Sequence, residues 1–257
     1  MTLPYVNQFN PPYEQWQTRK PTQEEINDRI TRKLHPLEWD AEIKIRCVNT
    51  IDTPEKAGCY LLQETLIDDT EIERAITASL NSMHSSYHKC QKKMPSQTPR
   101  ILSDYQRSYQ SINFKKVHKA IMENGDVLAT GQVLFHGGDI VSHLNINESI
   151  VTERPFSSSF CPAMALRNSN WRGKSYDKNQ VNLLILRVVD SNTNAFVFKI
   201  NGTDKGHEKE VLFASNATLT LRKRTILTKN YTTYKADEYF NASKKSVPAY
   251  LLHVDIS

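Results

Sequence analysis

The hydrophobic pattern of this 257-residue chain changes period near residue 125. Before that point apolar residues recur three and four apart, the spacing that gives a helix one buried face. After it come short runs rich in Val, Ile, Leu, Phe and Thr, bounded by Gly, Asn, Asp and Ser. Those are the marks of strands and turns. Helices first and strands later read as α+β, because parallel βαβ units need the two types to alternate. The sequence contains no internal repeat and no low-complexity tract.

Thr22-Gln23-Glu24-Glu25 is a capping box. It opens a predicted helix with Ile26, Ile30 and Leu34 on one face, stopped by Pro36. A second box, Asp68-Asp69-Thr70-Glu71, starts a helix carrying Ile72, Ala75, Ile76, Leu80 and Met83. The polar run Lys89-Cys90-Gln91-Lys92-Lys93, followed by Pro95 and Pro99, marks a boundary. Residues 1–95 are therefore predicted to be a mainly helical N-terminal region, and 96–257 a second domain. Ser103 caps a third helix with Tyr105, Tyr109, Ile112, Val117 and Ile121, closed by Gly125. Strands are predicted at 127–128, 133–135, 155–159, 181–189, 195–200, 211–214, 218–221 and 250–256, and a helix begins at Pro162.

A content of 39% hydrophobic and 24% charged residues is that of an ordinary globular protein. The N-terminus lacks a basic and apolar leader, and no apolar run reaches membrane-span length. A cytoplasmic location without a membrane partner is the expectation. The four cysteines, Cys47, Cys59, Cys90 and Cys161, show no CxxC spacing and read as reduced structural thiols. The Asn-x-Ser/Thr triplets at Asn147, Asn201 and Asn216 reflect composition and not glycosylation. A formal charge of +5 permits an acidic or nucleic-acid partner without requiring one.

Three segments carry chemistry. Gly131-Gln132-Val133-Leu134-Phe135-His136-Gly137-Gly138 is a strand entering a glycine turn, where two glycines let a ligand come close to the backbone. Ser157-Ser158-Ser159 lies on a second strand, with Pro162 and Ala165 in the helix behind it. Glu208-Lys209-Glu210-Val211-Leu212-Phe213 follows the loop 201–207. Strand alternation puts Glu208 and Glu210 on one face and Lys209 on the other.

This succession resembles the mono-ADP-ribosyltransferases of the arginine–serine–glutamate type. That family shows a strand ending in aromatic-Arg-Gly, then a Ser-Thr-Ser strand followed by Pro and Ala, then Glu-x-Glu-Val-Leu. The counterparts are Phe135-His136-Gly137, Ser157-Ser158-Ser159 with Pro162 and Ala165, and Glu208-Lys209-Glu210-Val211-Leu212. The resemblance covers about residues 100–257 and departs from the family at His136, which stands where the family has arginine. Another toxin branch of the superfamily has histidine at the equivalent strand, where it holds the adenosine ribose. The resemblance implies two packed, mostly antiparallel sheets around an NAD cleft. NAD is the implied co-substrate and nicotinamide the product, with no metal required. Catalysis falls to Glu210, Glu208 and Ser157, and dinucleotide binding to His136, Gly137, Ser157 and Ser159. Glu210 would bond the ribose 2′-hydroxyl beside a developing cation, Ser157 would orient Glu210, and Glu208 would receive the acceptor. Arg154, Arg167 and Arg172 are the cations available for the pyrophosphate.

A macromolecular acceptor is implied, and Glu at the first position of the pair favours a protein arginine. Enzymes of this kind act as bacterial toxins, phage factors or defence proteins, and by that analogy residues 1–95 are expected to bind either a neutralising antitoxin or immunity protein or the target. Basic clusters at Arg222-Lys223-Arg224, Lys115-Lys116, Lys92-Lys93 and Lys244-Lys245, with Tyr231 and Tyr234 close by, offer two alternatives. One is RNA or DNA as acceptor, and the other is a non-catalytic binding module. Alternation along that strand puts Arg222 and Arg224 on one face and Lys223 on the other. His143 and His207 read as surface residues, Glu73 and Arg74 as a solvated helix face, and Trp171 as packed on the sheet.

Overall fold

The computed structural model describes every residue except 1, 65–70, 109–111, 191, 201–202, 204 and 237–240. The fold is α+β. Strands β1 (Tyr13–Arg19) and β2 (Ile43–Ile51) pair antiparallel and enclose helices α1 (Gln23–Thr31) and α2 (Pro36–Trp39). Helix α3 (Pro54–Cys59) runs into a π-helical turn and is followed by α4 (Glu71–Asn81), α5 (Ser86–Lys93), α6 (Arg100–Ser108) and α7 (Phe114–Asn124). Next come β3 (Asp126–Val127), β4 (Val133–Gly137), β5 (Ser149–Val151), β6 (Phe156–Ser159) and α8 (Pro162–Asn170). The chain ends with α9 (Lys174–Lys178), β7 (Val181–Val188), β8 (Asn194–Val197), β9 (Glu210–Phe213), β10 (Thr218–Ala236) and β11 (Ala242–Ile256). No helix among the described residues is long and apolar enough to cross a membrane.

The capping box at Thr22 forms as the sequence dictates, with Thr22 accepting from the Glu25 N–H and Glu25 reaching back. Its helix buries nothing, however, and Ile30 is 42% exposed. Pro36 opens α2 as well as ending the predicted helix, because a first-turn proline gives up no helical hydrogen bond. The mainly helical reading of residues 1–95 missed β1 and β2, which alternate polar and apolar residues weakly and pair only with each other. The box Asp68-Asp69-Thr70 lies outside the described residues. The helix beyond it buries Ile72, Ile76 and Leu80, whereas Met83 is outside it and exposed. The single helix predicted from Ser103 to Gly125 is two. Ser103 sits inside α6, and Asn113 caps α7 by accepting from the Lys116 N–H. Tyr109 lies outside the described residues.

Among the described residues, nine strands join in the order β3-β8-β9-β6-β4-β7-β11-β10-β5. The β7–β11 pair is parallel and the other pairs are antiparallel. Between β4 and β6 the ladder is a single pair, Phe135 with Ser159. The sheet therefore comes close to dividing into two sheets at that point. The strand expected at 218–221 continues to Ala236 and forms a long ribbon with β11.

One core runs through both halves of the chain, from Leu3 to Ile256. The N-terminal residues form a strap across the sheet. Leu3 N–H donates to the Val127 carbonyl at 2.7 Å, and the fully buried Gln132 amide exchanges bonds with the backbone of Val6 at 2.7 and 2.9 Å. Tyr87 and Gln91 of α5 both donate to the Phe198 carbonyl. These contacts satisfy polar groups that would otherwise be buried without partners. Residues on both sides of position 95 thus share the same interior.

Gly137 has a different task from the one its sequence context suggests. A Cβ there would lie 1.8 Å from the Ala165 carbonyl oxygen and 2.8 Å from the Ser169 nitrogen. The missing side chain lets the α8 backbone, and not a ligand, settle against β4. Gly137→Ala should destabilise the fold by about 1–3 kcal/mol or more, since backbone on both sides must move. Urea unfolding of the variant checks this; an unchanged midpoint would show that α8 is not seated there.

Candidate active site

The site lies where β4 and β6 part. Beyond the Phe135–Ser159 pair the ladder stops, and a side chain takes over: His136 Nδ1 lies 2.7 Å from the Ser157 carbonyl oxygen. On the next strand, Glu210 is the first residue of β9 and pairs with Ser159. Glu210 is 6% exposed, and its carboxylate is held at both oxygens. Ser157 Oγ donates to Oε1 at 2.6 Å and Gln106 Nε2 donates to Oε2 at 2.5 Å. A hydrogen bond to a charged group contributes about 1.5–3 kcal/mol, so the two fix the carboxylate firmly.

No sequence motif marks Gln106. It projects from α6, which Tyr105 anchors by donating to the Pro155 carbonyl at 2.8 Å. It lies 104 residues from Glu210 and belongs to no recognisable pattern.

Burial raises the Glu210 pKa above the ordinary carboxylate value, and the nearby Glu208 charge adds to this. The bonds from Ser157 and Gln106, and more distantly Lys205, oppose the rise. Among the described residues no cation bonds this carboxylate. It has about four lone-pair directions and spends two on these donors, so acceptor capacity remains.

Glu208 is near Glu210 for a reason other than strand alternation. It ends a 3₁₀ turn, Gly206–Glu208, and Lys209 takes the left-handed conformation at φ 52°. A turn, not a pleat, brings the two acids together. The Glu208 side chain is 18% exposed and lies 3.7 Å from Lys205 Nζ. Lys209, expected on the opposite strand face, is 2% exposed, and burial lowers its pKa. Asn201 and Asp204 in the loop before this turn lie outside the described residues, and His207 is exposed, as expected.

Ser159 was grouped with the cofactor-binding residues, but its hydroxyl is already engaged. It donates to the Glu208 carbonyl at 2.6 Å and accepts from the Cys161 N–H at 3.0 Å. Ser159 therefore ties the acidic turn to the start of α8. Ser158 donates to the Val211 carbonyl. Of the three serines, Ser157 is the one whose hydroxyl meets the acid.

Burial drives the His136 pKa down to about 4. The Ser157 contact raises it, Lys174 and Arg154 lower it further, and Asp139 opposes them. The ring is thus neutral, and a neutral ring facing a carbonyl must carry its proton on Nδ1. Nε2 is then an acceptor. A Cβ on Gly138 would come within 2.8 Å of it, so the second glycine leaves that nitrogen uncovered. Phe156 packs on the ring at 4.6 Å.

Of the three arginines considered for a pyrophosphate, Arg167 is paired with Glu73, which is therefore not simply a solvated charge. Arg172 stands over the Trp171 ring at 5.8 Å. Trp171 itself is 57% exposed, more open than the packed position the sequence suggests. Arg154 and Lys174 are the cations whose fields reach His136.

No family model matches the sequence, and no curated protein matches it. Solved structures do resemble the fold. ADP-ribosyltransferase Vis is 11% identical with a TM-score of 0.46, over 80% of this chain and 90% of that one. C3stau2 from S. aureus, solved with NAD, is 9% identical with a TM-score of 0.42, over 66% and 92%. The enzymatic component C2-I of the C2 toxin from Clostridium botulinum is 11% identical with a TM-score of 0.37, over 66% of this chain. This chain spans 45% of that component's length. At such identities and scores none of these likenesses assigns an activity; the side chains around Glu210 have to carry it.

The depressed His136 pKa makes the fold acid-sensitive. The unfolded chain binds a proton near pH 6.5 and the folded chain only near 4, so stability drains as pH falls through that window. The loss should be on the order of 2–3 kcal/mol. His136→Asn cannot titrate and should lose that much less between pH 7 and 4. Urea midpoints of both proteins at the two pH values measure the difference; equal slopes would refute the neutral ring.

Proposed function

We propose that this chain is a mono-ADP-ribosyltransferase that takes ADP-ribose from NAD and passes it to a macromolecular acceptor, releasing nicotinamide. The observation that carries this reading is the Ser157–Glu210 hydrogen bond at 2.6 Å, between β6, which borders the parting beside His136, and its neighbour β9.

Breaking the bond between nicotinamide and ribose builds positive charge on the sugar, as in glycoside hydrolysis. Glu210 is suited to meet it. Its carboxylate is buried, held by two neutral donors, and bonded by no cation among the described residues. A cation that appears only in the transition state gains the full attraction of that charge, while a neutral ground state gains little. Both donors are in place beforehand, so the carboxylate needs no reorganisation. An unused lone pair of Glu210 would accept the ribose 2′-hydroxyl, and His136 Nε2 would accept a second hydroxyl. Arg154 and Lys174 would lie toward the phosphates.

Glu208 would receive the acceptor. Its partial exposure and its place on a turn set it outside the buried carboxylate, where an incoming nucleophile could reach it. As a general base it would take the nucleophile's proton. The family resemblance favours a guanidinium acceptor at this position. A role as toxin, phage factor or defence protein, and a neutralising partner for the first 95 residues, accompany that resemblance.

Purified protein should release nicotinamide from NAD, and Glu210→Gln should cut the rate by about 10²–10⁴. The pH–rate profile adds an independent check. Activity requires ionised Glu210, whose pKa burial has raised, so the acid limb should lie above the ordinary glutamate range. Ser157→Ala removes a bond that lowers this pKa and should move the limb to still higher pH. Folded wild-type protein that leaves NAD intact across varied acceptors would defeat the proposal.

A further inference from the structure

Positive charge is concentrated on the last two strands. β10 and β11 carry Arg222, Lys223, Arg224, Lys229, Lys235, Lys244 and Lys245 against one carboxylate, Asp255. The connecting residues 237–240 add Asp237 and Glu238 in the sequence and lie outside the described residues. Some of these cations are engaged. Lys235 pairs with Asp177 at 2.7 Å, Lys245 bonds Asn179 at 2.6 Å, and Arg224 donates to the carbonyls of Ser142 and Leu144. Lys223, Lys229 and Lys244 are exposed and have no bonded partner among the described residues.

The base of the ribbon is shaped. The β10–β11 register shifts between Leu221 and Lys223, and such a bulge re-aims side chains. Arg222 and Lys223, which simple alternation would separate, both line one cavity of about 270 Å³. Arg187 and His253 line it too, with Asp255 in its wall and Glu55 also lining it. Asp255 is 6% exposed and binds two guanidiniums at once, Arg187 Nε at 2.9 Å and Arg222 Nε at 2.6 Å. The two arginine side chains remain 59% and 45% exposed. One buried acid thus fixes two planar donor groups; Arg187 Nη2 also lies 2.8 Å from it and Arg222 Nη1 donates to Asn147 Oδ1 at 3.0 Å, so Arg187 Nη1 and Arg222 Nη2 are left for a ligand. Guanidiniums so placed suit phosphate oxygens. Further along the ribbon Lys229 follows Lys223 by roughly 20 Å at ~3.3 Å per residue. Tyr234, 44% exposed, pairs with Lys244.

We propose that the β10–β11 ribbon, with the Arg187–Arg222–Lys223 cradle at its base, binds the phosphate backbone of single-stranded nucleic acid. Cations spaced along an extended ribbon match a polymer charged at every unit, and an exposed tyrosine beside them offers a base a stacking face. The cradle lies on β7, β11 and β10, across β4 from Glu210 in the strand order, and its binding requires no NAD.

The test is fluorescence anisotropy of a labelled single-stranded RNA with the full chain, without NAD, from about 50 to 300 mM salt. Wild-type protein should bind with a steep salt dependence. Lys223→Glu combined with Lys229→Glu should raise Kd about tenfold at 100 mM salt and flatten the slope by about 0.7 per lost contact. Both side chains are exposed and unbonded, so thermal melting should not change. Lys115→Glu with Lys116→Glu, on the exposed face of α7, should bind like wild type. The proposal fails if wild type does not bind at 50 mM salt, or if the ribbon variant matches it in Kd and slope. It fails equally if polyglutamate displaces the RNA at the same charge concentration, which would mark a surface for acidic proteins. Since NAD is absent, neither this outcome nor that of the nicotinamide assay decides the other.

Discussion

A buried carboxylate bonded by no cation among the described residues is costly to maintain, and the centre of this molecule is arranged around one. Glu210 gives up hydration and in return receives two neutral hydrogen bonds, from a strand serine and a helix glutamine. Burying a charge unpaired costs several kcal/mol, and breaking such an arrangement costs more than building it earns. A protein seeking stability alone would put an apolar side chain at this position. An acid kept in so closed a place is the physical reason for reading the site as a functional one.

The surroundings all serve to place that group. The single Phe135–Ser159 pair holds the two parts of the sheet together just before they diverge. Gly137 lets α8 close against β4, and Ser159 binds the acidic turn to the first residues of α8. Lys209, which separates the two acids in sequence, is buried and takes a left-handed backbone. Position 208 is therefore governed by turn geometry, and position 210 by the sheet. The two carboxylates have separate environments, one half-open and one closed, which is the condition for separate chemical roles.

Much of this was legible beforehand. Ser157 and Glu210 were identified by segment order and meet in space. His136 was identified as a departure and lies against Ser157. The turn at Lys209 was hidden because Glu-Lys-Glu-Val-Leu-Phe satisfies strand alternation on paper, and nothing in lysine announces φ > 0. Gln106 was hidden because a long-range hydrogen bond leaves no periodic trace. Gly137 and Ser159 were read as facing a ligand, whereas both face α8 or its approach; sequence reveals that a glycine allows close approach but not what approaches. The β1–β2 pair went unseen because its strands bury little beyond Ile51. The bulge at Arg222 reversed an alternation argument in the same way that the turn at Lys209 did.

The place of the last strand has a consequence for how the molecule assembles. β11 lies in the interior of the strand order, parallel to β7 on one side and antiparallel to β10 on the other. β10 and β5 reach the rest of the sheet only through it. During synthesis the earlier strands can pair among themselves, but two strands stay detached until the segment from Ala249 to Ile256 emerges and inserts between β7 and β10. Pairings this distant in sequence are slow to form and leave edges open meanwhile. The Glu210 carboxyl and its Ser157 donor belong to the part that can close early, and the cationic ribbon to the part that closes last.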